Sequence, residues 1–456
     1  MGDILDIQTV VSVLVKELSS FKQQIEKLSK ENTSLKNENL ELRERLSRYE
    51  HPKDSHNSNL PPTRDPVGKK KKVNLREKSE RNSGGQAGHP GHSLSMQVPD
   101  KVEILSPSYC TCCGRDLSDI SGEELERRQQ IDIPPIHPVV TEYRRIRKIC
   151  RCSHTNVIEF PSTVTAPVCY GSNLQALVTY FSVCQHIPYK RMTRMLNEVF
   201  SVPFSEGSIK NILNRMERRL TPAYEVIRKR LLKSPVVGVD ETSTCVNGKN
   251  RWSWVWQNEK LTYITSGHSR EKNVFTTVMP EGMPDSILVS DCYSPYFSVN
   301  VKDHQICTAH ILRELIYLSE SYDQHPWSEQ MAALIREAIH LKKTICGKID
   351  DNPIQQHFQI LLNQGIDKTY KKIQTLQKRL IKYKNYLFRF LESEWVPPDN
   401  NASERSIRVF KVKLKVSGFF KSNKGAQRFA LLHSIADTAR KNNSSPFNVF
   451  QLATNC

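Results

Sequence analysis

No stretch of this 456-residue chain approaches the roughly 20 apolar residues that a membrane-spanning helix requires, so no membrane span is expected. Nor is a secretory leader expected, because Asp3 and Asp6 stand where its basic start would lie. Acid is the scarcer charge. Asp and Glu number 48 against 66 Lys and Arg, and the resulting net charge of +18 points to a polyanionic partner, most simply nucleic acid. Clustered cysteine is scarce as well. Of twelve, only those at 110–113 and 150–152 stand together, and the others are scattered singly as buried thiols usually are. In a long chain without an export signal this argues against a disulfide framework and predicts a reducing, intracellular compartment. What is present suffices for a core. The 38% of hydrophobic residues excludes wholesale disorder, and the length predicts two to four domains at roughly 150 residues each.

Residues 4–49 carry an unbroken 3-4 spacing. Ile4, Val11, Leu18, Ile25, Asn32, Asn39 and Leu46 take the a positions of seven heptads, and Ile7, Leu14, Phe21, Leu28, Leu35, Leu42 and Tyr49 take the d positions. β-Branched or polar residues at a with mostly Leu at d predict a parallel two-stranded coiled coil, its register fixed by the two Asn. The pairs Glu17–Lys22, Glu31–Lys36, Glu38–Arg43 and Arg45–Glu50 fit g-to-e′ contacts in that dimer. A helix packed on its own domain is the plainer alternative. From His51 to about Pro99 the pattern gives way to Pro, Gly, Ser and Lys, as in a linker. Its run from Arg64 to Arg81 holds eight basic residues against three acids, which suits either a solvated tether or an arm laid on phosphate.

Cys110-Thr-Cys-Cys113-Gly114 and Cys150-Arg-Cys152 have the spacing of a zinc ribbon, in which four thiolates satisfy a tetrahedral Zn²⁺. The second pair has one intervening residue where two are usual, so Cys112 or His154 stand as substitutes. Helices are predicted over Leu174–Cys184, Lys190–Phe200 and Ser205–Leu220. The last two are separated as in a helix-turn-helix and made basic by Lys190, Arg191, Arg194, Lys210 and Arg215. Many helical pairs share that spacing.

At Pro235 the period changes to 2. Val236–Cys245, Arg251–Gln257 and Leu261–Ser266 read as three successive strands, with Trp252, Trp254 and Trp256 on one face as core. A helix near Arg270–Val278 and a strand ending at Asp291 follow. Three antiparallel strands, a helix and a further strand beside the first make a ribonuclease-H-like order. Residues 306–394 read as a helical insertion, with Ile373, Leu376, Leu380, Tyr383, Leu387 and Phe390 at helical spacing. Asp240 and Asp291 end apolar runs, and Glu404 lies just inside a helix opened by Pro397-Pro-Asp-Asn-Asn401. Three such carboxylates suit a pair of Mg²⁺ ions in phosphoryl transfer. Singly, each is more simply explained: the aspartates as strand-end turn residues, Glu404 as a partner of Arg408 one turn on. Together, beside a basic tract, they favour the metal. That tract holds Arg405, Arg408, Lys411, Lys413, Lys415, Lys421, Lys424 and Arg428 with no further acid, a density that suits backbone phosphates better than a solvated face.

At Pro398-Asp-Asn-Asn-Ala-Ser-Glu404-Arg405-Ser-Ile-Arg408 the chain resembles a DDE transposase of the insertion sequence 66 family. Asn57–Asp65, Gly84-Gly-Gln-Ala-Gly-His89-Pro-Gly-His92, the cysteine knuckle, Val239-Asp-Glu-Thr242, Ser290–Tyr296 and Cys307-Thr-Ala-His310-Ile-Leu-Arg313 follow in family order. The resemblance implies Asp240, Asp291 and Glu404 as the catalytic triad holding Mg²⁺ or Mn²⁺. It also implies a zinc-finger module, with Zn²⁺ expected on Cys110, Cys113, Cys150 and Cys152, and cutting and joining of element ends. His310 is a structural histidine or, second, a phosphate or proton-transfer contact. The tight second thiol pair and a chain that stops early, at Cys456, depart from the family pattern.

The expected architecture is multi-domain α+β. A coiled coil at 1–50 is followed by a basic linker at 51–100, a zinc-finger module at 101–165 and a helical domain at 166–234. A ribonuclease-H-like catalytic core follows at 235–425, with a helical insertion near 306–395, then a C-terminal helical segment at 426–456. The expected protein is a bacterial, cytoplasmic and nucleoid-associated transposase that acts on element ends and target DNA. It works as a homodimer or larger assembly, with accessory proteins of its element as further partners. The alternatives are a DNA-binding regulator and a decayed copy that binds ends without joining them.

Overall fold

The computed structural model describes residues 2–50, 52–54, 57–58, 88, 94–270, 273–322, 325–345 and 349–455. The basic arm between Arg64 and Arg81 lies outside them, as does most of the Asn57–Asp65 and Gly84–His92 motifs. The chain divides into two units. One comprises Met1–Lys72, Tyr143–Arg194 and Phe204–Cys456, the other Val73–Glu142 with Met195–Pro203. The segment read as one zinc module, 101–165, therefore contributes to both.

Among its described residues before Glu142, the smaller unit has one hydrogen-bonded knuckle. Tyr109 bridges Asp116, the Gly114 amide donates to Cys110 O at 2.9 Å and the Cys110 amide to Arg115 O at 2.8 Å. Gly114 has φ +71°, the left-handed conformation that closes such a turn without steric cost. In the larger unit a short hairpin pairs β1 (Arg147–Ile149) with β2 (Thr155–Val157), and its turn carries Cys150 and Cys152. There the Ser153 amide donates to Cys150 O, and Cys150 N to His154 O, both at 2.9 Å.

Helix α1 (Gly2–Glu50) runs unbroken for 49 residues. Leu14, Leu18, Phe21, Ile25, Leu28, Leu35, Leu42 and Leu46 are all more than half exposed, so the apolar seam is uncovered in the single chain. Helices α2 (Ser172–Val183), α3 (Tyr189–Phe200) and α4 (Glu206–Leu231) follow. Ser205 caps α4 by accepting from Ser208 N at 3.0 Å. The expected end of α4 at Leu220 is overturned: the helix runs on through Pro222 to Leu231. Leu220, Tyr224, Ile227 and Leu231 continue one buried stripe, and its burial outweighs the ~3 kcal/mol that an interior proline costs.

The sheet has the order β5-β4-β3-β6-β7, with β3 (Val236–Val246), β4 (Lys249–Gln257) and β5 (Thr262–His268) antiparallel in sequence. After α5 (Asn273–Val278), β6 (Met283–Ser290) returns parallel to β3, and β7 (Val301–Ile306) adds parallel to β6 at the edge. The sequence reading missed β7 because Lys302, Asp303, His304 and Gln305 interrupt any apolar pattern. One face of the sheet stacks Trp254 and Trp256 against Phe275 and Tyr296, both indoles buried, whereas Trp252, expected as core with them, is half-buried with Arg270 over its ring. The other face buries Val255 and Ile264 under Ile407, Phe410 and Phe429 from α11 (Asn401–Ser417) and α12 (Asn423–Lys441).

Between β7 and α11 lie α6 (Thr308–Ser321), α7 (Pro326–Thr344), α8 (Asn352–Asn363), α9 (Lys371–Lys382) and the short α10 (Arg389–Glu392). Ile373, Leu376, Leu380, Tyr383, Leu387 and Phe390 are all buried, though a break after Lys382 divides them between helices. The last helix, α13 (Pro446–Asn455), packs on α2 and α4; Arg219 donates to Thr454 O at 2.9 Å and Gln451 to Asn173 at 2.6 Å. The segments 166–234 and 426–456, expected as separate domains, thus share one helical layer. Among the described residues no helix is long and apolar enough to cross a membrane.

Candidate active site

The parallel register of β3 with β6 pairs Val236 with Ile287 and Gly238 with Val289, two residues before Asp240 and Asp291. Asp240 lies within β3 and Asp291 directly follows the last residue of β6; neighbouring strands run ~4.8 Å apart. Burial raises the Asp240 carboxyl well above the ordinary range, and the charges of Glu241, Glu404 and Asp291 add to the rise. Asp291 is pushed up to about 6, first by burial and then by Glu241, against the lowering effect of the Tyr293 amide that donates to its Oδ1 at 2.9 Å. Carboxylates that raise one another in this way suit a hard divalent cation, which supplies the missing positive charge and accepts oxygen ligands.

Helix α11 delivers Glu404. Its entry is clasped to the sheet: Asn400 Nδ2 donates to Val239 O at 2.6 Å, and Ser403 Oγ to Asn400 Oδ1 at 2.6 Å. The same turn holds α6, because Thr308 donates to Pro398 O through its amide at 3.0 Å and its hydroxyl at 2.8 Å. That junction sets His310 Nε2 3.2 Å and Arg313 3.6 Å from Glu404 Oε1. His310 therefore lies beside the third acid, although Glu404 Oε1 accepts no hydrogen bond. Burial lowers the His310 pKa, against the raising effect of Glu404. Cys307, His310 and Glu404 are also a group whose ligand atoms all lie within 4.8 Å of one another. The structure thus brings the three predicted acids within electrostatic reach, with Glu404 turned towards α6.

A fourth carboxylate escaped the sequence reading. Glu241 is buried, with a side chain 3% exposed, and is held by Arg270 at 2.8 Å and by the Tyr296 hydroxyl. Arg270 is itself stacked between Trp252 and Tyr293, at 4.5 and 4.4 Å from the ring centres. Glu241 stands in the quoted Val239–Thr242 motif, but nothing local to the sequence links it to Arg270 or Tyr296.

The basic tract divides. Arg405, Arg408, Lys415, Lys421 and Lys424 are exposed. Three others are engaged within the fold. Lys411 donates to Ser243 O and Oγ at 2.7 and 2.8 Å, and Lys413 reaches His186 O at 3.4 Å with burial lowering its pKa to about 8. Arg428 is buried against Asn214 and Tyr189. Each charged end meets an acceptor within the fold.

Comparison with known proteins places the chain. The pattern of the Transposase IS66 family matches residues 167–428, more than half of the sequence, and the chain belongs to that family. The zinc-finger binding domain of transposase IS66 matches residues 107–153, a span that contains all four expected thiols and supports structural zinc. An uncharacterized protein y4hP of Sinorhizobium fredii is 20% identical over 393 residues, covering 76% of this chain and 70% of its own length. The crystal structure of the catalytic domain of Mos1 mariner transposase is 16% identical, covering 37% of this chain and 91% of that domain at a TM-score of 0.12, too slight to speak for the fold.

Proposed function

We propose that this transposase is a metal-dependent polynucleotidyl transferase with a ribonuclease-H-like core, in which Asp240, Asp291 and Glu404 hold two divalent cations, Mg²⁺ or Mn²⁺. The observation that carries this reading is the gathering of three acids that raise one another: Asp240 within β3, Asp291 just past the adjacent parallel strand β6, and Glu404 close enough to raise both. When bound, such ions activate water or a 3′-hydroxyl and stabilise the leaving oxygen. The chain's own residues prepare the site. Arg270 pairs with Glu241 and the Tyr296 hydroxyl donates to it, which holds Glu241 as a supporting acid, while His310 and Arg313 orient Glu404. The exposed cations of α11 and the following turn hold backbone phosphates.

Asp240→Asn and Glu404→Gln are each expected to reduce cleavage of element-end DNA by at least ~10³-fold while end binding stays within about threefold, since each removes an anionic ligand and keeps the shape. Near-wild-type cleavage by either variant in Mg²⁺ removes that residue from the site. Wild-type binding with no cleavage in Mg²⁺ or Mn²⁺ would leave the binding-only reading standing.

Two further elements complete the proposal. Zinc sits on Cys110, Cys113, Cys150 and Cys152; the knuckle amides at Cys113 and Cys152 already lower the pKa of Cys110 and Cys150, as metal-binding thiolates require. Metal analysis should find one tightly held Zn²⁺ per chain, lost in Cys110→Ser/Cys113→Ser; retention in that variant moves the ligands elsewhere. The uncovered seam of α1 pairs in parallel with a second copy. Deleting residues 2–50 should turn a dimer into a monomer in sedimentation and weaken binding to paired ends; an unchanged assembly state would refute the coiled coil.

A further inference from the structure

Arg405, Arg408 and Arg440 line one cleft of about 480 Å³. Its walls come from the segment after α2, which carries Cys184 and His186, from α11 and from α12. On α11 the lining residues Ala402, Arg405, Ser406, Val409 and Val412 follow helical spacing along one stripe. Glu404 and Arg408, four apart, share a neighbouring stripe, so Arg408 stands between the acid and the cleft.

None of the three guanidiniums has an ion-pair partner among the described residues. Elsewhere in the same unit Arg228, Arg270, Arg379 and Arg389 each meet a carboxylate. The single acid lining the cleft, Asp437, is occupied by the hydroxyls of Thr262 at 2.7 Å and Ser406 at 2.9 Å. The Lys441 amine is likewise engaged, with Gln257 Oε1 at 2.8 Å and Asn258 O at 2.7 Å. The floor also holds His433, 5% exposed, whose buried Nδ1 has no hydrogen-bond partner. Three guanidiniums beside a single acid leave an excess of positive charge that repels, and a buried polar nitrogen without a partner costs ~1–3 kcal/mol. An anion with several acceptor oxygens relieves both, and guanidinium forks match a phosphate's oxygens.

We propose that this cleft grips the sugar-phosphate backbone of a DNA strand at a phosphodiester group, on the flank of the helix that carries Glu404. The assignment rests on the transposase reading for the identity of the polyanion. It extends the contact beyond α11 to Arg440 and His433, on a separate helix. Sequence-independent grip is expected, because every strand offers the same phosphate.

The test uses the full chain with Ca²⁺ in place of Mg²⁺, so that binding is read without cleavage. A random-sequence fluorescent duplex is titrated over a salt series with wild type, Arg405→Gln/Arg440→Gln and Arg405→Lys/Arg440→Lys. The Gln variant should bind about tenfold more weakly, and its slope of log affinity against log salt should fall in magnitude by about 0.9, one phosphate contact. The Lys variant should keep the slope, because it keeps the charge; a merely structural role would not separate the two. Unchanged affinity and slope in the Gln variant would overturn the proposal. So would DNA binding like wild type with loss only of inorganic phosphate uptake, which would give the cleft to a free anion. If Asp240→Asn retains cleavage while the slope change holds, the proposed chemistry fails and the cleft stands.

Discussion

Asp291→Asn should make the protein harder to unfold at pH 7 while ending DNA cleavage. Burial and the neighbouring Glu241 raise the Asp291 carboxyl from the ordinary 3.8 to about 6. A carboxyl raised on folding favours the folded chain below about pH 4, and that contribution is lost as pH rises to about 6. At pH 7 the ionised aspartate therefore costs about 3 kcal/mol, at ~1.4 kcal/mol per pKa unit. Asp240 acts in the same direction. Asparagine removes the charge, keeps the volume and still accepts the Tyr293 amide. Without added divalent cation, urea unfolding followed by the fluorescence of buried Trp254 and Trp256 should show a variant more stable by about 2–3 kcal/mol at pH 7. The gap should close towards pH 4. Added Mg²⁺ should stabilise wild type and leave the variant unmoved. A gap that does not change with pH, or a variant less stable at pH 7, would show that Asp291 is not held against its neighbours' charge.

Gly238→Ala should cripple the site from beneath. A Cβ there would lie 2.5 Å from Ser403 Oγ and 2.7 Å from both Asn400 Oδ1 and Gln257 Nε2. These three side chains form the seat of α11 on β3, joined by the Asn400–Val239 and Gln257–Ser403 bonds. All are buried, so the added methyl has to displace the helix or break the bonds. Overpacking of this kind costs ~1–3 kcal/mol. The larger effect is on geometry, since Glu404 moves relative to Asp240, and a misplacement of about 1 Å costs on the order of 10²-fold in rate. Cleavage should fall by that factor or more while DNA binding falls far less. Ser403→Ala, which frees space beside Gly238, should restore part of the rate in the double variant. Full activity of Gly238→Ala alone would show that α11 is not positioned through this seat.

The elements legible along the chain are those whose signal is local. A heptad spacing, a period of 2 with tryptophans on one side and carboxylates at the ends of apolar runs each follow from a repeat that neighbouring residues generate themselves. The strands β3 to β6 and the placement of Asp240 within β3 and Asp291 at the end of β6's apolar run could be read in that way. Strand β7 could not, because its polar residues are buried by partners elsewhere: Gln305 donates to Leu387 O at 2.9 Å and accepts from the Phe390 amide at 2.9 Å.

By itself the sequence determined a basic, long-helix-led chain of the transposase type, its three spaced acids and its two thiol clusters, because composition and periodicity are properties of the string. Only the tertiary structure decided which charges are available. Lys411 faces Ser243, Lys413 faces His186 and Arg428 faces Asn214, pairings 168, 227 and 214 residues apart in the chain. Arg405, Arg408 and Arg440 form no ion pair among the described residues. A cation's role depends on which acceptor packing brings to it, and that acceptor comes from distant residues through burial of the sheet's apolar face.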